Sequence, residues 1–308
     1  MIARRFSRFL GLLCFLTLGL MGLGAGVRAK KAGLTCPDWP LCFGQVIPDY
    51  HPGVYFEFIH RAYAGIVAIL FFGCLVYAWR SRDELIRRIR GLLFVAAIVL
   101  IGQIVMGGLT VLKLVEIEVV TSHLALATVF FGCIYWCFLS LKDADPARAD
   151  GRAMFGSGSM DPTSGAALRA PLLRFLVVMT PLLIFGQLIL GGLVASSYAG
   201  SVCVDFPQCN GQWIPEPFEG PIKLQVLHRF MAYFLFAYVM MIGLKMIQAT
   251  HNLYVRRSAR LLIFAVLVQV GLGISNVLML IPFYLTVAHH LMGVLLFAAS
   301  LRVVHSNS

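Results

Sequence analysis

Cys36-Pro-Asp-Trp-Pro-Leu-Cys42-Phe-Gly-Gln-Val-Ile-Pro-Asp49 returns about half a chain later as Cys203-Val-Asp-Phe-Pro-Gln-Cys209-Asn-Gly-Gln-Trp-Ile-Pro-Glu216. The two copies align without a gap. The cysteines, the second proline and the Gly-Gln pair coincide, and Trp39/Phe206 and Asp49/Glu216 are near-equivalents. Such a match within one chain indicates an internal duplication. Each copy is followed by the same dipeptide, His60-Arg61 or His228-Arg229. The rest of the sequence is placed relative to these two blocks.

The flanking sequence is strongly apolar. Hydrophobic residues make up 59% of the 308 positions and charged residues only 13%, against about 25% charged in soluble domains. Continuous apolar runs of this length fit membrane-spanning helices and lack the two-residue alternation of a transmembrane barrel. Eight segments are drawn, at about 9–27, 55–79, 91–112, 119–140, 172–195, 223–247, 258–280 and 283–302. The predicted fold is therefore an all-α integral membrane protein. An even number of helices per half inserts both halves in the same sense, which makes a parallel repeat of two four-helix bundles.

The net charge of +11 invites a nucleic-acid reading, but the placement of the basic residues argues against one. With the N-terminus inside, the inner segments take Arg4, Arg5, Arg8, the Arg80–Arg90 run, Lys142 to Arg174, Lys245 to Arg260 and Arg302. The outer segments hold only Arg28, Lys30, Lys31, Lys113 and Lys223. The positive-inside rule then predicts both termini inside, so the basic excess is topological. Residues 1–27 resemble a signal peptide in composition. Yet Gly26…Gly33-Leu-Thr-Cys36 mirrors Gly192…Gly200-Ser-Val-Cys203 after the fifth helix, which predicts a retained first helix. Residues 142–171, rich in Asp, Ala, Gly, Ser and Arg, read as a cytoplasmic linker. It separates an N-terminal half (1–141) from a C-terminal half (172–308).

Four histidines fall inside apolar helices at similar depth: His60, His123, His228 and His289, with His290 as the alternative to the last. Ionisable residues in a membrane default to a functional reading. Two per half, facing each other in a bundle, suit axial ligation of a haem. A structural zinc site would want four ligands. The residue one turn after each histidine is small (Ala64, Ala127, Ala232, Gly293), leaving room for a flat ring on that face. Gly293 favours His289, whereas the match of His123-Leu124 with His290-Leu291 favours His290. The pairs Gly107/Gly108, Gly191/Gly192 and Gly271/Gly273 fit either close helix packing or space for a cofactor. Gln103, Gln187 and Gln269 read as interhelical hydrogen-bonding residues. Arg61 and Arg229 fit either haem propionates or snorkelling to the interface.

Of the eight cysteines, Cys14, Cys74, Cys133 and Cys137 lie in helices and read as small apolar residues. Cys36/Cys42 and Cys203/Cys209 lie in outer loops, where an oxidising compartment predicts two local disulfides. They serve either as staples or as a redox-active pair. The halves differ at Glu57, three residues before His60, where the second half has Gln225. A carboxylate on one side only points to proton or water handling at the first site.

Taken together, the Cys-x5-Cys loops, Glu57-x-x-His60-Arg61, the Gly-Gln…Gly-Gly helices and the matching second set resemble the haem A synthase family over essentially the whole chain. The resemblance implies oxidation of the C8 methyl of haem O to a formyl group by successive hydroxylations, supplying haem A for terminal oxidases. It implies His60 and His123 as ligands of the substrate haem, and His228 and His289 as ligands of a haem b cofactor. Glu57 is implied as the essential acid. It further implies a multi-pass protein of the bacterial inner membrane with periplasmic cysteine loops. Its partners would be the lipid bilayer, a haem O synthase and an electron acceptor such as quinone, with no nucleic acid. The competing readings are a bis-histidine dihaem cytochrome in quinol electron transfer and a haem-handling protein without chemistry.

Overall fold

The computed structural model describes residues 2–143 and 171–307. Among them it contains eight α-helices long and apolar enough to cross a membrane, and no strands. They are α1 (Ile2–Ala29), α2 (Pro52–Arg80), α3 (Glu84–Leu112), α4 (Ile117–Asp143), α5 (Pro171–Ser196), α6 (Gly220–Gln248), α7 (Leu253–Leu278) and α8 (Phe283–Asn307). A short 3-10 turn, Ala199–Ser201, follows α5.

The helices outrun the apolar segments that announce them, because a helix stops at a cap and not where hydropathy falls. Asp83 caps α3, its carboxylate accepting from the Leu85 and Ile86 amides at 3.0 and 3.3 Å. The charged turn Glu84–Arg90 is thereby drawn into the helix. Asn252 does the same for α7 through Tyr254 and Val255. Proline opens α2 and α6, where its missing N–H costs nothing. The expected 142–171 linker loses its ends to α4 and α5; the remainder, 144–170, lies outside the described residues.

Each half has its own core. Phe6, Leu10, Leu13, Val67, Phe71, Leu93 and Ile134 fill the first, and Val177, Ile184, Val239, Ile242, Met246 and Leu262 the second. Buried hydroxyls inside the helices return to their own backbone, as Thr17 does to the Leu13 carbonyl at 2.8 Å and Thr128 to Leu124 at 2.9 Å. No water is needed to satisfy them in an apolar surround. Large apolar side chains such as Phe15, Ile69, Phe264 and Tyr284 face outward, as lipid-facing positions do.

The halves join through α1 on α8, α4 on α5 and α4 on α8. Small residues set the approach: a Cβ on Gly192 would lie 2.7 Å from Leu124, and one on Gly132 would lie 3.2 Å from Phe297. At the opposite end from the cysteine loops, Tyr254 of α7 donates to Asp143 of α4 at 2.7 Å. His305 of α8 meets the same carboxylate at 3.1 Å.

Candidate functional site

The two cysteine loops are built alike. Disulfides join Cys36 to Cys42 and Cys203 to Cys209. Within the first, Cys42 and Gln45 exchange backbone hydrogen bonds of 3.0 and 3.1 Å. Asp38 accepts from the Phe43 and Gly44 amides at 2.6 and 2.8 Å. In the second, Cys209 and Gln212 pair at 2.8 and 3.1 Å, and Asp205 accepts from Asn210 and Gly211 at 2.6 and 2.7 Å. Gly44 and Gly211 hold φ of 69° and 76°, a left-handed conformation that favours glycine. These amides hold the Asp38 and Asp205 carboxyls below the usual aspartate range, with Gly44 and Gly211 the largest contributors.

Arginines tie each loop to a helix. Arg61 of α2 donates to the carbonyls of Asp38 (2.7 Å), Leu41 (2.8 Å) and Cys36 (3.2 Å). Arg229 of α6 donates to the carbonyls of Asp205 (2.8 Å), Gln208 and Cys203 (2.9 Å). Both guanidiniums thus face loop backbone. The difference between halves is carried by the residue one turn earlier. Glu57 is 4% exposed; its Oε1 accepts from Arg61 at 2.5 Å, and its Oε2 from the Thr35 hydroxyl (3.0 Å) and the Cys36 amide (2.9 Å). In the second half Gln225 is equally buried, with its carbonyl oxygen unpartnered, and Val202 stands where Thr35 does.

Beneath the loops, each helical histidine rests on a glycine of a neighbouring helix. A Cβ on Gly24 of α1 would lie 3.1 Å from His60, and one on Gly107 of α3 would lie 3.1 Å from His123. Gly191 of α5 stands in the same relation to His228 at 3.1 Å, and Gly273 of α7 to His289 at 3.0 Å. One turn before three of these glycines sits a glutamine whose amide nitrogen meets the imidazole. The pairs are Gln103 with His123 (3.2 Å), Gln187 with His228 (3.2 Å) and Gln269 with His289 (3.4 Å). His123 lies within electrostatic reach of His60, and His228 of His289. His290 makes none of these contacts; it lies toward Arg28 of α1.

Comparison with known proteins agrees with this arrangement. Residues 7–53 and 49–301 match the COX15-CtaA family, described as cytochrome oxidase assembly protein. The chain belongs to the COX15-CtaA family. This member is similar to the haem A synthase of Nitrosomonas eutropha, 27% identical over 94% of this chain and 90% of that one. It is also similar to that of Shewanella oneidensis, 26% identical over 89% and 88%. The haem A synthase of Shouchella clausii is 28% identical over 67% of this chain and 64% of its own length. Family and helices together make this a multi-pass membrane protein.

The residues of this COX15-CtaA member fit a haem in each half. The donors come as imidazole pairs, and no group of three His, Cys, Asp or Glu that could hold a bare metal ion occurs among the described residues. A pair of imidazoles is a donor set that suits an iron already held in a ring. The Nδ1 atoms of His123 and His289 are buried without a partner, and glycines back all four rings. Sequence reasoning missed three things. It passed over Asp38 and Asp205, although their identity in both copies was a usable signal. It missed Gly24, which lies outside the glycine-pair pattern. It also missed the Thr35–Glu57 link, which only tertiary proximity reveals.

Proposed function

We propose that this chain is a haem A synthase, an oxidoreductase that converts the C8 methyl of haem O to a formyl group by successive hydroxylations. The observation that carries the reading is the pairing of two equivalent bis-histidine sites with a carboxylate at only one of them. Glu57 stands one turn from His60, and Gln225 is its neutral counterpart beside His228. Homologues named haem A synthase support the same assignment.

On this reading His60 and His123 hold the substrate haem O, and His228 and His289 hold haem b. His289 takes that place over His290 because it shares the glycine contact of the other three and the glutamine contact of His123 and His228. Bound there, haem b supplies an electron relay toward an acceptor such as quinone. With water as the oxygen donor, methyl to formyl releases four electrons and four protons, so a proton acceptor beside the reacting edge is required. A carboxylate offers about four lone-pair positions, and Glu57 has three of them filled by Arg61, Thr35 and Cys36. One remains to position a water or accept its proton. The two disulfide loops, clamped by Arg61 and Arg229, act as lids that keep bulk water from the sites.

The topology belongs to the same proposal: two parallel-repeat four-helix bundles with both termini inside the bacterial inner membrane and the cysteine loops periplasmic. A haem O synthase would deliver the substrate. Pigments extracted from membranes that express the chain alongside a source of haem O provide the test. Haem A in the extract is the expected result. Haem b alone would overturn the proposal in favour of a dihaem cytochrome, a reading that leaves the Glu57/Gln225 difference without a purpose.

A further inference from the structure

Arg28 lies in the last turn of α1, one turn after Gly24, the residue that abuts His60. Residues four apart share a helix face, and side chains lean toward the helix N-terminus. Arg28 therefore shares the α1 face that carries Gly24 and lies at the loop end of that helix. Its electrostatic neighbours are Tyr198, in the turn after α5, and His290 of α8. Neither offers it a negative charge, and the Arg28 guanidinium makes no hydrogen bond or ion pair among the described residues.

The cations around it are otherwise engaged. Arg61 and Arg229 hold the loop carbonyls. Lys30 sits over the Phe283 ring and Lys31 over the Tyr198 ring, each at 4.9 Å. A guanidinium at the edge of an apolar bundle is costly unless it meets an anion, and its fork suits a carboxylate. The second half has Ala195 at the matching position, so this feature distinguishes one site from the other.

We propose that Arg28 is a specificity-determining residue of the first-half site, binding a carboxylate of the porphyrin substrate. The inference rests on the haem reading above and sharpens it. A flat ring ligated at its centre by two imidazoles is free to rotate in its plane. One edge held by a guanidinium fixes which methyl group faces Glu57. The haem b site performs no chemistry on the ring edge and has no such anchor.

The test uses the full-length protein in lipid nanodiscs, titrated with haem O and with iron protoporphyrin IX, and followed by Soret absorbance. His60→Ala serves as the first-site control. Arg28→Gln is expected to weaken first-site binding of both porphyrins at least tenfold, while Arg28→Lys recovers most of it. The dimethyl esters of the two porphyrins should bind wild type and Arg28→Gln alike. Retention of second-half haem b shows that the variant is folded. Equal affinity of wild type and Arg28→Gln for the free acids overturns the proposal. So does a loss that follows the anionic lipid content of the disc and not the porphyrin carboxylates. If iron protoporphyrin binds in an Arg28-dependent way and haem O does not bind at all, the anchor stands and the haem A synthase reading falls.

Discussion

Glu57 and Arg61 stand one turn apart on α2, paired at 2.5 Å, and both reach into the same disulfide loop. Arg61 holds the loop by its carbonyls and Glu57 by an amide and a hydroxyl. The acid is therefore both part of the chemistry proposed and part of the lid's hinge, and the two roles can be separated. Glu57→Ala strands the Arg61 charge and the Cys36 amide, a loss of about 3 kcal/mol, and it is expected to abolish haem A formation. Glu57→Gln keeps acceptors for Thr35 and Cys36 and should recover much of the thermal stability without recovering activity. Gln225→Ala should leave the haem A to haem O ratio within about twofold. Pigment analysis alongside thermal unfolding checks all three; full haem A yield from Glu57→Ala would remove the acid from the mechanism.

The glycines beneath the histidines make a site-by-site prediction. A methyl group at Gly107 or Gly24 would meet an imidazole at 3.1 Å, closer than side chains normally approach. Gly107→Ala and Gly24→Ala should displace the rings of the first half and reduce its haem occupancy. Gly191→Ala and Gly273→Ala should do the same for the second half alone. Low-spin bis-histidine signals counted by electron paramagnetic resonance would distinguish the halves. Equal loss from both sites in every variant would mean that the glycines serve general packing.

His60 lacks the glutamine that the other three histidines have. Leu20 stands one turn before Gly24, where Gln187 stands before Gly191. With its oxygen turned to the ring, such an amide accepts the N–H of a ligating imidazole, an outer-shell contact that typically contributes 10- to 100-fold in affinity. Gln187→Leu should weaken haem retention in the second half by about that factor. Leu20→Gln should slow release of porphyrin from the first half, where substrate must enter and product leave. Transfer to apomyoglobin reads both rates, and an unchanged rate for Leu20→Gln would count against this account of exchange.

Asp38 predicts how the lid responds to acid. Its carboxyl titrates below the usual aspartate range, chiefly because the Gly44 amide, and then Phe43, favour the charged form. A depressed native value contributes stability that is fully present above the unfolded value, about 3.9, and is lost as pH falls through the native one. The loop should resist proteolysis down to about pH 4 and open only below it. Asp38→Asn should weaken the pH dependence of lid opening across that range, leaving the part that the Glu57 carboxylate carries. A proteolysis profile that shifts with pH in Asp38→Asn as in wild type would refute the assignment.

Much of this was legible in the sequence because a duplication supplies its own control. Cys36, Asp38, Cys42, Gly44 and Gln45 each have an identical counterpart, and each proves to hold the loop's internal geometry. Eight helices followed from apolar length alone. Their ends did not, since Asp83 and Asn252 pull charged turns into α3 and α7. The histidines could be named but not given surroundings: His60 and Gly24 lie on different helices, and only packing brings them together. The same limit applies to Arg61. Its spacing from His60 suggested a role toward a ring, whereas the structure turns its guanidinium to the carbonyls of a loop some twenty residues earlier.

Lys31 and Tyr198 occupy matching positions after α1 and α5, share a φ of 55° and touch at 4.9 Å. In a symmetric dimer, only residues beside the rotation axis meet their own copies. On the proposed parallel-repeat topology, the chain resembles a homodimer whose subunits have been fused. A homodimer must accept every substitution twice. Fusion lifts that constraint, so that Glu57, Arg28 and Leu20 can differ from Gln225, Ala195 and Gln187. On the proposed function, one ancestral pocket has in this way become two sites with separate duties.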